Sequence, residues 1–253
     1  MKRLENKTAI ITGESGGIGF ATAKLFLQEG ANIMLVDIDE QELINAQKEL
    51  TANNVSYCVA DVSKQEDTER YCEKTLKQFG QIDILFSNAG IEGVYAPISE
   101  YPDDAYEKIM NTNVKGVWLD CKIIIPKMKE NGSVIITSSV AGLKGFPGLG
   151  AYTTSKHAVI GIMRVAALEN ASRNIRVNTI HPGPINNRMM RSIEKQISPE
   201  DATQAKEGFE SSVPFGRYGE SEEIGQMALF LASAESKYIT GCQHVVDGGL
   251  MAG

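Results

Sequence analysis

The sequence has no long apolar run, no cluster of metal-ligating side chains and no excess of positive charge. Its four cysteines, Cys58, Cys72, Cys121 and Cys242, lie far apart with no Cys-x-x-Cys pair, and His157, His181 and His244 do not gather around them. That spacing offers neither a metal site nor a disulfide framework, so the cysteines read as small buried thiols in a reducing compartment and no metal is expected. The apolar segments stop well short of the ~20 residues needed to cross a bilayer. The beginning, Met1-Lys2-Arg3-Leu4-Glu5, lacks the apolar stretch of a signal peptide, so a cytoplasmic protein with no membrane partner is expected. The formal net charge is −7, with Lys and Arg scattered rather than striped, which argues against a nucleic-acid surface. No Pro/Ser-rich linker, charge run or internal repeat divides the 253 residues, and a single domain spanning 1–253 is expected.

What the chain does contain is a series of short apolar runs: Thr8–Thr12, Ile33–Val36, Val55–Ala60, Ile84–Ser87, Val134–Thr137, Ile175–Ile180 and Val245–Val246. Amphipathic segments alternate with them. Near-continuous apolar strands separated by helices mark a parallel sheet covered on both faces, so the spacing predicts an α/β, doubly wound, Rossmann-like fold of about seven strands.

The first turn, Thr12-Gly13-Glu14-Ser15-Gly16-Gly17-Ile18-Gly19, lies between a strand and a helix running to about Glu29. Glycines there let the backbone turn tightly and approach a pyrophosphate, whose charge is stabilised by N–H groups at a helix N-terminus. The second strand ends at Asp37, where a carboxylate can accept hydrogen bonds from an adenosine ribose and repel a 2′-phosphate. Glu14 adds a second negative charge, and no Arg or Lys occupies 14–16 or 37–39, so NAD(H) is expected over NADP(H). Asp39 is the better candidate to cap the following helix. Asp61-Val62 and Ser87-Asn88-Ala89-Gly90 close the next two strands, at the edge where such sheets bind ligands; there a carboxylate suits an adenine amino group and small residues permit close approach.

A long helical stretch from about Asp103 to Lys129 is interrupted near Asn113, marking a local distortion or a polar task. Ser138-Ser139 end the fifth strand. Tyr152 and Lys156, at i and i+4 of a helix over about 151–169, share a face. An ammonium beside a phenol favours the phenolate and lowers its pKa toward the range useful for proton transfer. Between His181-Pro182-Gly183-Pro184-Ile185 and about Gly219 the periodicity fails, although Met189, Met190, Ile193, Ile197 and Phe209 are apolar. Residues 184–219 therefore read as an irregular lid over an apolar pocket. Ile91, Glu92, Val140, Leu149 and Met189 are candidate lining residues, favouring a hydrophobic or medium-sized substrate.

Assembled in order, these residues resemble the short-chain dehydrogenase/reductase family from about Lys7 to Gly249. The resemblance implies a catalytic Asn113, Ser139, Tyr152 and Lys156. It also implies a cofactor site built from Gly13, Ser15, Gly16, Gly17, Ile18, Gly19, Asp37, Asp61, Val62, Asn88, Ala89, Gly90, Tyr152, Lys156, Pro182, Gly183 and Ile185. Ser87 and Asn187 stand where the family usually has Asn and Thr. Hydride transfer between NAD(H) and a secondary alcohol or ketone follows, with a homotetramer as the implied assembly. Reduction of β-ketoacyl groups on an acyl-carrier protein is the alternative, with Lys129 and Arg173 placed to meet an acidic carrier. A regulatory protein that binds NAD(H) without turnover would be expected to break the tetrad.

Overall fold

The computed structural model describes residues 2–253. Strands and helices alternate: β1 (Thr8–Thr12), α1 (Ile18–Gln28), β2 (Asn32–Asp37), α2 (Glu40–Leu50), β3 (Val55–Val59), α3 (Gln65–Phe79) and β4 (Ile84–Ser87). They continue with α4 (Asp103–Ile109), α5 (Gly116–Ile123), β5 (Ser133–Thr137), α6 (Gly150–Glu169) and β6 (Arg176–Pro182). The chain finishes through α7 (Arg188–Ile197), α8 (Ala202–Ser212), α9 (Ser221–Ala232) and β7 (Gln243–Val246).

The strands form one seven-stranded sheet in the order β3-β2-β1-β4-β5-β6-β7, parallel throughout. β1, β4, β5 and β6 are buried along their whole length, as their apolar sequences require when both faces are covered. One core, on Tyr71, Ile124 and Met163, fills the face under α3, α5 and α6. The other, on Phe26, Leu35 and Leu229, fills the face under α1 and α9. Chain order reverses between β1 and β4, and at such a switch point the loops leaving the two strands diverge and open a crevice.

Two departures from sequence expectation bear on the site. The long helix is not merely weakened near Asn113: Met110–Lys115 form a π-helical turn joining α4 to α5, with Gly116 N–H donating to Asn111 O five residues back. Of the residues in this turn only Asn113 is buried, and single π turns inside helices are frequent at functional sites. Residues 184–219, expected to be irregular, carry two helices. Asn187 caps α7 by accepting from Met190 N (3.1 Å), and Asp201 caps α8 by accepting from Thr203 N (3.0 Å). Pro184, Pro199 and Pro214 cut this region into lengths too short for a plain period to emerge, and charged outer faces dominate its composition.

Candidate active site

The glycine turn wraps the N-terminal end of α1. Gly13 has φ +72°, and a Cβ there would stand 2.6 Å from Ala89 Cα; a Cβ on Gly19 would meet Gly13 O at 2.4 Å. Glycine is needed at both places, one for its backbone and both for space. Asp37, at the end of β2, reaches across to this turn: its Oδ2 accepts from Ser15 N (3.0 Å) and Ser15 Oγ (2.9 Å), and its Oδ1 accepts from Ile38 N (2.8 Å). Asp39, not Asp37, caps α2, accepting from Gln41 N and Glu42 N. Glu14 differs from its expected part. Its carboxyl is turned inward, with Oε2 unpartnered, and burial beside Asp37 pushes its pKa up to about 7. It therefore stands partly neutral near pH 7, and it is Asp37 that holds the turn through Ser15.

The ends of β1, β4 and β5 are tied together by side chains. Asn88 Nδ2 donates to Thr12 O (3.2 Å) and Gly13 O (3.0 Å), its Oδ1 accepts from Thr137 Oγ1 (2.9 Å), and Thr12 Oγ1 accepts from Asn88 N (3.0 Å) and Ala89 N (3.2 Å). At the far end of this brace Lys156 Nζ donates to Thr137 O (2.9 Å). Lys156 also lies 5.6 Å from the Tyr152 ring centroid. Gly90 leaves room for that lysine, since a Cβ there would meet Lys156 Nζ at 3.3 Å.

Burial governs the ionisable groups. It pushes the Tyr152 phenol up to about 12, an effect the facing Ser139 hydroxyl partly opposes, and brings the Lys156 ammonium down to about 8. The expected lowering of the phenol by Lys156 is therefore outweighed by desolvation in the protein by itself. Tyr152 Oη faces Met189 Sδ at 3.9 Å, so α7 sits directly over the phenol. Ser139 Oγ accepts from Ala141 N (3.1 Å), and its carbonyl holds His181 Nδ1 (2.9 Å). Since a carbonyl only accepts, His181 carries its proton on Nδ1 and takes Thr179 Oγ1–H on Nε2 (2.8 Å); burial keeps the ring neutral by lowering its pKa. Asn113 is fully buried, exchanging hydrogen bonds with Ile91 N and Ile91 O (both 2.9 Å) and donating to Ser155 Oγ (3.0 Å).

These groups share one cavity of about 1120 Å³, running from Gly13, Ser15 and Asp37 past Asn88 to Ser139, Tyr152 and Lys156, and on beneath α7 and α8. Gly16, Ile18, Asp61, Val62, Ala89, Gly90, Pro182, Gly183 and Ile185 also line it, as do Ile91, Val140, Leu149 and Met189. Gly17, Gly19, Asn113 and Glu92 stand outside the lining; Gly17 and Gly19 shape the turn from behind, and Asn113 acts through Ile91 and Ser155. A dinucleotide fits the polar end on shape and charge: a glycine cradle, a helix N-terminus and a buried carboxylate. Thr12, Thr137 and His181 were missed at the sequence level, although strand-end hydroxyls flanking Asn88 and Ser139 were the available signal.

The lowered Lys156 pKa has a consequence for stability. An ammonium depressed from 10.5 to about 8 costs the fold on the order of 3 kcal/mol below pH 8. That penalty vanishes as pH rises through 10.5, where the unfolded chain also loses the proton. Lys156→Met should therefore unfold at higher urea than the wild type at pH 7, by somewhat less than this figure because Thr137 O loses its donor. The advantage should shrink between pH 8 and 10.5, and an advantage independent of pH would contradict the buried charge.

Against known proteins, residues 13–251 match a family model described as enoyl-(acyl carrier protein) reductase. A 3-oxoacyl-(acyl-carrier-protein) reductase of Thermotoga maritima is 39% identical over 253 residues, 98% of this chain and 99% of the relative. Levodione reductase of Leifsonia aquatica is 35% identical over 256 residues, 99% of this chain and 96% of the relative. A crystal structure of levodione reductase superimposes with a TM-score of 0.96 at 35% identity, covering 99% of both chains. With the parallel seven-stranded sheet and the glycine turn at its switch point, these matches make the chain a member of the short-chain dehydrogenase/reductase family of oxidoreductases.

Proposed function

We propose that this protein is an NAD(H)-dependent dehydrogenase/reductase of a secondary alcohol or ketone, with Tyr152 as the acid and base. The observation that carries this reading is the convergence of Ser139, Tyr152 and Lys156 at one end of a cavity whose other end holds the glycine turn and Asp37. The nicotinamide, when bound, supplies or accepts the hydride at its C4. The turn Gly13, Ser15, Gly16, Gly17, Ile18 and Gly19 would seat the phosphates, Asp61 and Val62 the adenine, and Asn88, Ala89 and Gly90 the neighbouring ribose. Pro182, Gly183 and Ile185 would back the nicotinamide.

Ser139 Oγ holds the substrate oxygen, and Tyr152 Oη gives it a proton in reduction or removes one in oxidation. Lys156, protonated below about pH 8, favours the phenolate as it forms. Asn113 acts as a positioning residue: its side-chain amide exchanges hydrogen bonds with Ile91 and donates to Ser155 Oγ, which ties the loop after β4 to α6. Residues 184–219 act as the substrate lid of a single catalytic domain. NAD(H) is preferred because Asp37 places a buried carboxylate against Ser15; a ribose diol would replace the Ser15 hydroxyl as donor, while a 2′-phosphate would meet like charge.

Reduction of β-ketoacyl groups on a carrier protein is the second reading, favoured by the names of the matching family and of the Thermotoga relative. Lys129 is exposed, and half-buried Arg173 donates only to the neutral carbonyls Ile125 O (2.9 Å) and Met128 O (2.5 Å), so among the described residues neither is paired with a carboxylate that would keep it from an acidic carrier. A homotetramer is supported by two exposed apolar faces, one of Tyr106, Trp118, Val165 and Leu168 on α4 to α6, the other of Phe215, Tyr238 and Val245 beside β7.

Tyr152→Phe should lose roughly 10²–10⁴-fold in turnover while binding NADH as the wild type does, and both proteins should bind NADH more tightly than NADPH in fluorescence titrations. Full turnover in that variant would remove Tyr152 from the chemistry, and tighter NADPH binding would remove Asp37 from cofactor choice. Sedimentation at micromolar concentration should give a tetramer; a monomer would leave the two apolar faces without their proposed partner.

A further inference from the structure

The part of the cavity beyond Tyr152 carries information that the catalytic groups do not. Residues 140–149 form one wall and 184–219 the other. The first wall contributes Val140, Phe146 and Leu149, and the second Met189, Ile193 and Phe209, as the side chains that give the space its character. The polar side chains these two walls add to the lining are Lys144, Asn187, Arg188 and Ser212. Lys144, Arg188 and Ser212 are exposed, placing them at the solvent rim, and Asn187 spends its Oδ1 on capping α7 at Met190 N. A molecule resting against Tyr152 thus meets hydroxyls at the reacting oxygen and, the Asn187 Nδ2 donor aside, hydrocarbon on both walls.

The walls are also joined to each other. Gln196, near the end of α7, accepts from Tyr95 N (2.9 Å) and donates to Gly93 O (3.2 Å), latching the lid to the loop after β4. That loop is in turn bridged to the first wall by Ala96 N donating to Gly148 O (3.0 Å). At the base of α7, Glu194 is buried, accepting from Arg191 (2.7 Å) and from Tyr218 Oη (2.9 Å), which fixes the helix above the phenol. These ties close the Gln196 side of the pocket, while its rim at Lys144, Arg188 and Ser212 meets solvent.

Resting on the reading of Tyr152 and Ser139 given above, we propose that the substrate is an uncharged, compact ketone or secondary alcohol. Its reacting carbon is flanked by ring or branched hydrocarbon. It is not a polyol. A hydroxyl carried beside the reacting carbon would be buried against Val140, Ile193 or Phe209 without a partner, which costs about ten- to a hundredfold in affinity for each such group. Hydrocarbon at the same place gains from leaving water. The reaction balances as for any ketone: the carbonyl carbon gains a hydride from NADH, which is oxidised to NAD+, and the carbonyl oxygen gains the Tyr152 proton, which solvent replaces.

The test is a matched set of three carbonyl compounds given to the full-length protein with NADH: 4-methylcyclohexanone, the polyhydroxy ketone erythrulose, and the N-acetylcysteamine thioester of acetoacetate. Each is also titrated into Tyr152→Phe with NADH, so that binding is read without turnover. The proposal expects kcat/KM for 4-methylcyclohexanone to exceed that for the thioester at least tenfold and that for erythrulose at least a hundredfold, with binding in the same order. A thioester or erythrulose reduced as well as the cyclic ketone overturns the proposed class and leaves the hydride reading standing. NADH binding with turnover of none of the three overturns the substrate class, whereas a protein that fails to bind NADH at all overturns the hydride reading itself.

Discussion

One line of hydrogen bonds holds the site together, running from Gly13 O through the Asn88 amide to Thr137, and from Thr137 O to the Lys156 ammonium. It crosses the switch point between β1 and β4, the place where a parallel sheet opens because its loops diverge. Without such a tie the strand ends would have free carbonyls and hydroxyls facing a cleft, and the glycine turn and the lysine would be positioned independently. With it, the turn suited to phosphates and the cation beside Tyr152 are held by one hydrogen-bonded network. Asn suits the middle position because one amide both donates and accepts.

Burial raises the electrostatic stakes at this edge. A phenol pushed up to about 12 and an ammonium brought down to about 8 are both driven toward their neutral forms. The protein by itself therefore holds a protonated acid beside an ammonium that is readily deprotonated, an arrangement that costs stability and serves proton transfer. Neutral His181 supports it from behind, fixing the Ser139 carbonyl with its Nδ1–H. Asn113, in the π turn, fixes Ile91 on the opposite side. Desolvation is thus concentrated where the chemistry is proposed, while the surrounding strands are fully buried and regular.

Much of this was legible in the sequence because the fold writes itself in period and punctuation. Seven apolar runs gave seven parallel strands, and Tyr152 and Lys156 at i and i+4 do share a helix face. Asn113 announced itself as an amide in an otherwise helical pattern. The lid did not. Met189, Ile193 and Ile197 have helical spacing, but three prolines and a charged outer face hid a helix only ten residues long. The roles of Glu14 and Asp37 were also only half visible: sequence places both carboxylates by the turn, but only packing shows that Glu14 faces inward near neutrality while Asp37 holds Ser15. Met189 over the phenol, and Arg173 turned onto Ile125 and Met128, are tertiary facts that no local pattern encodes.

The central claim is that Tyr152, Ser139 and Lys156 stand where hydride and proton reach the two ends of one carbonyl group. The most direct measurement is the fate of deuterium from NADH labelled at C4 of the nicotinamide, followed into the product alcohol by NMR in ordinary water. The account predicts one deuterium, on the carbinol carbon, transferred from one face of the ring only. A product carrying only solvent hydrogen at that carbon, or label split between both faces, would contradict it.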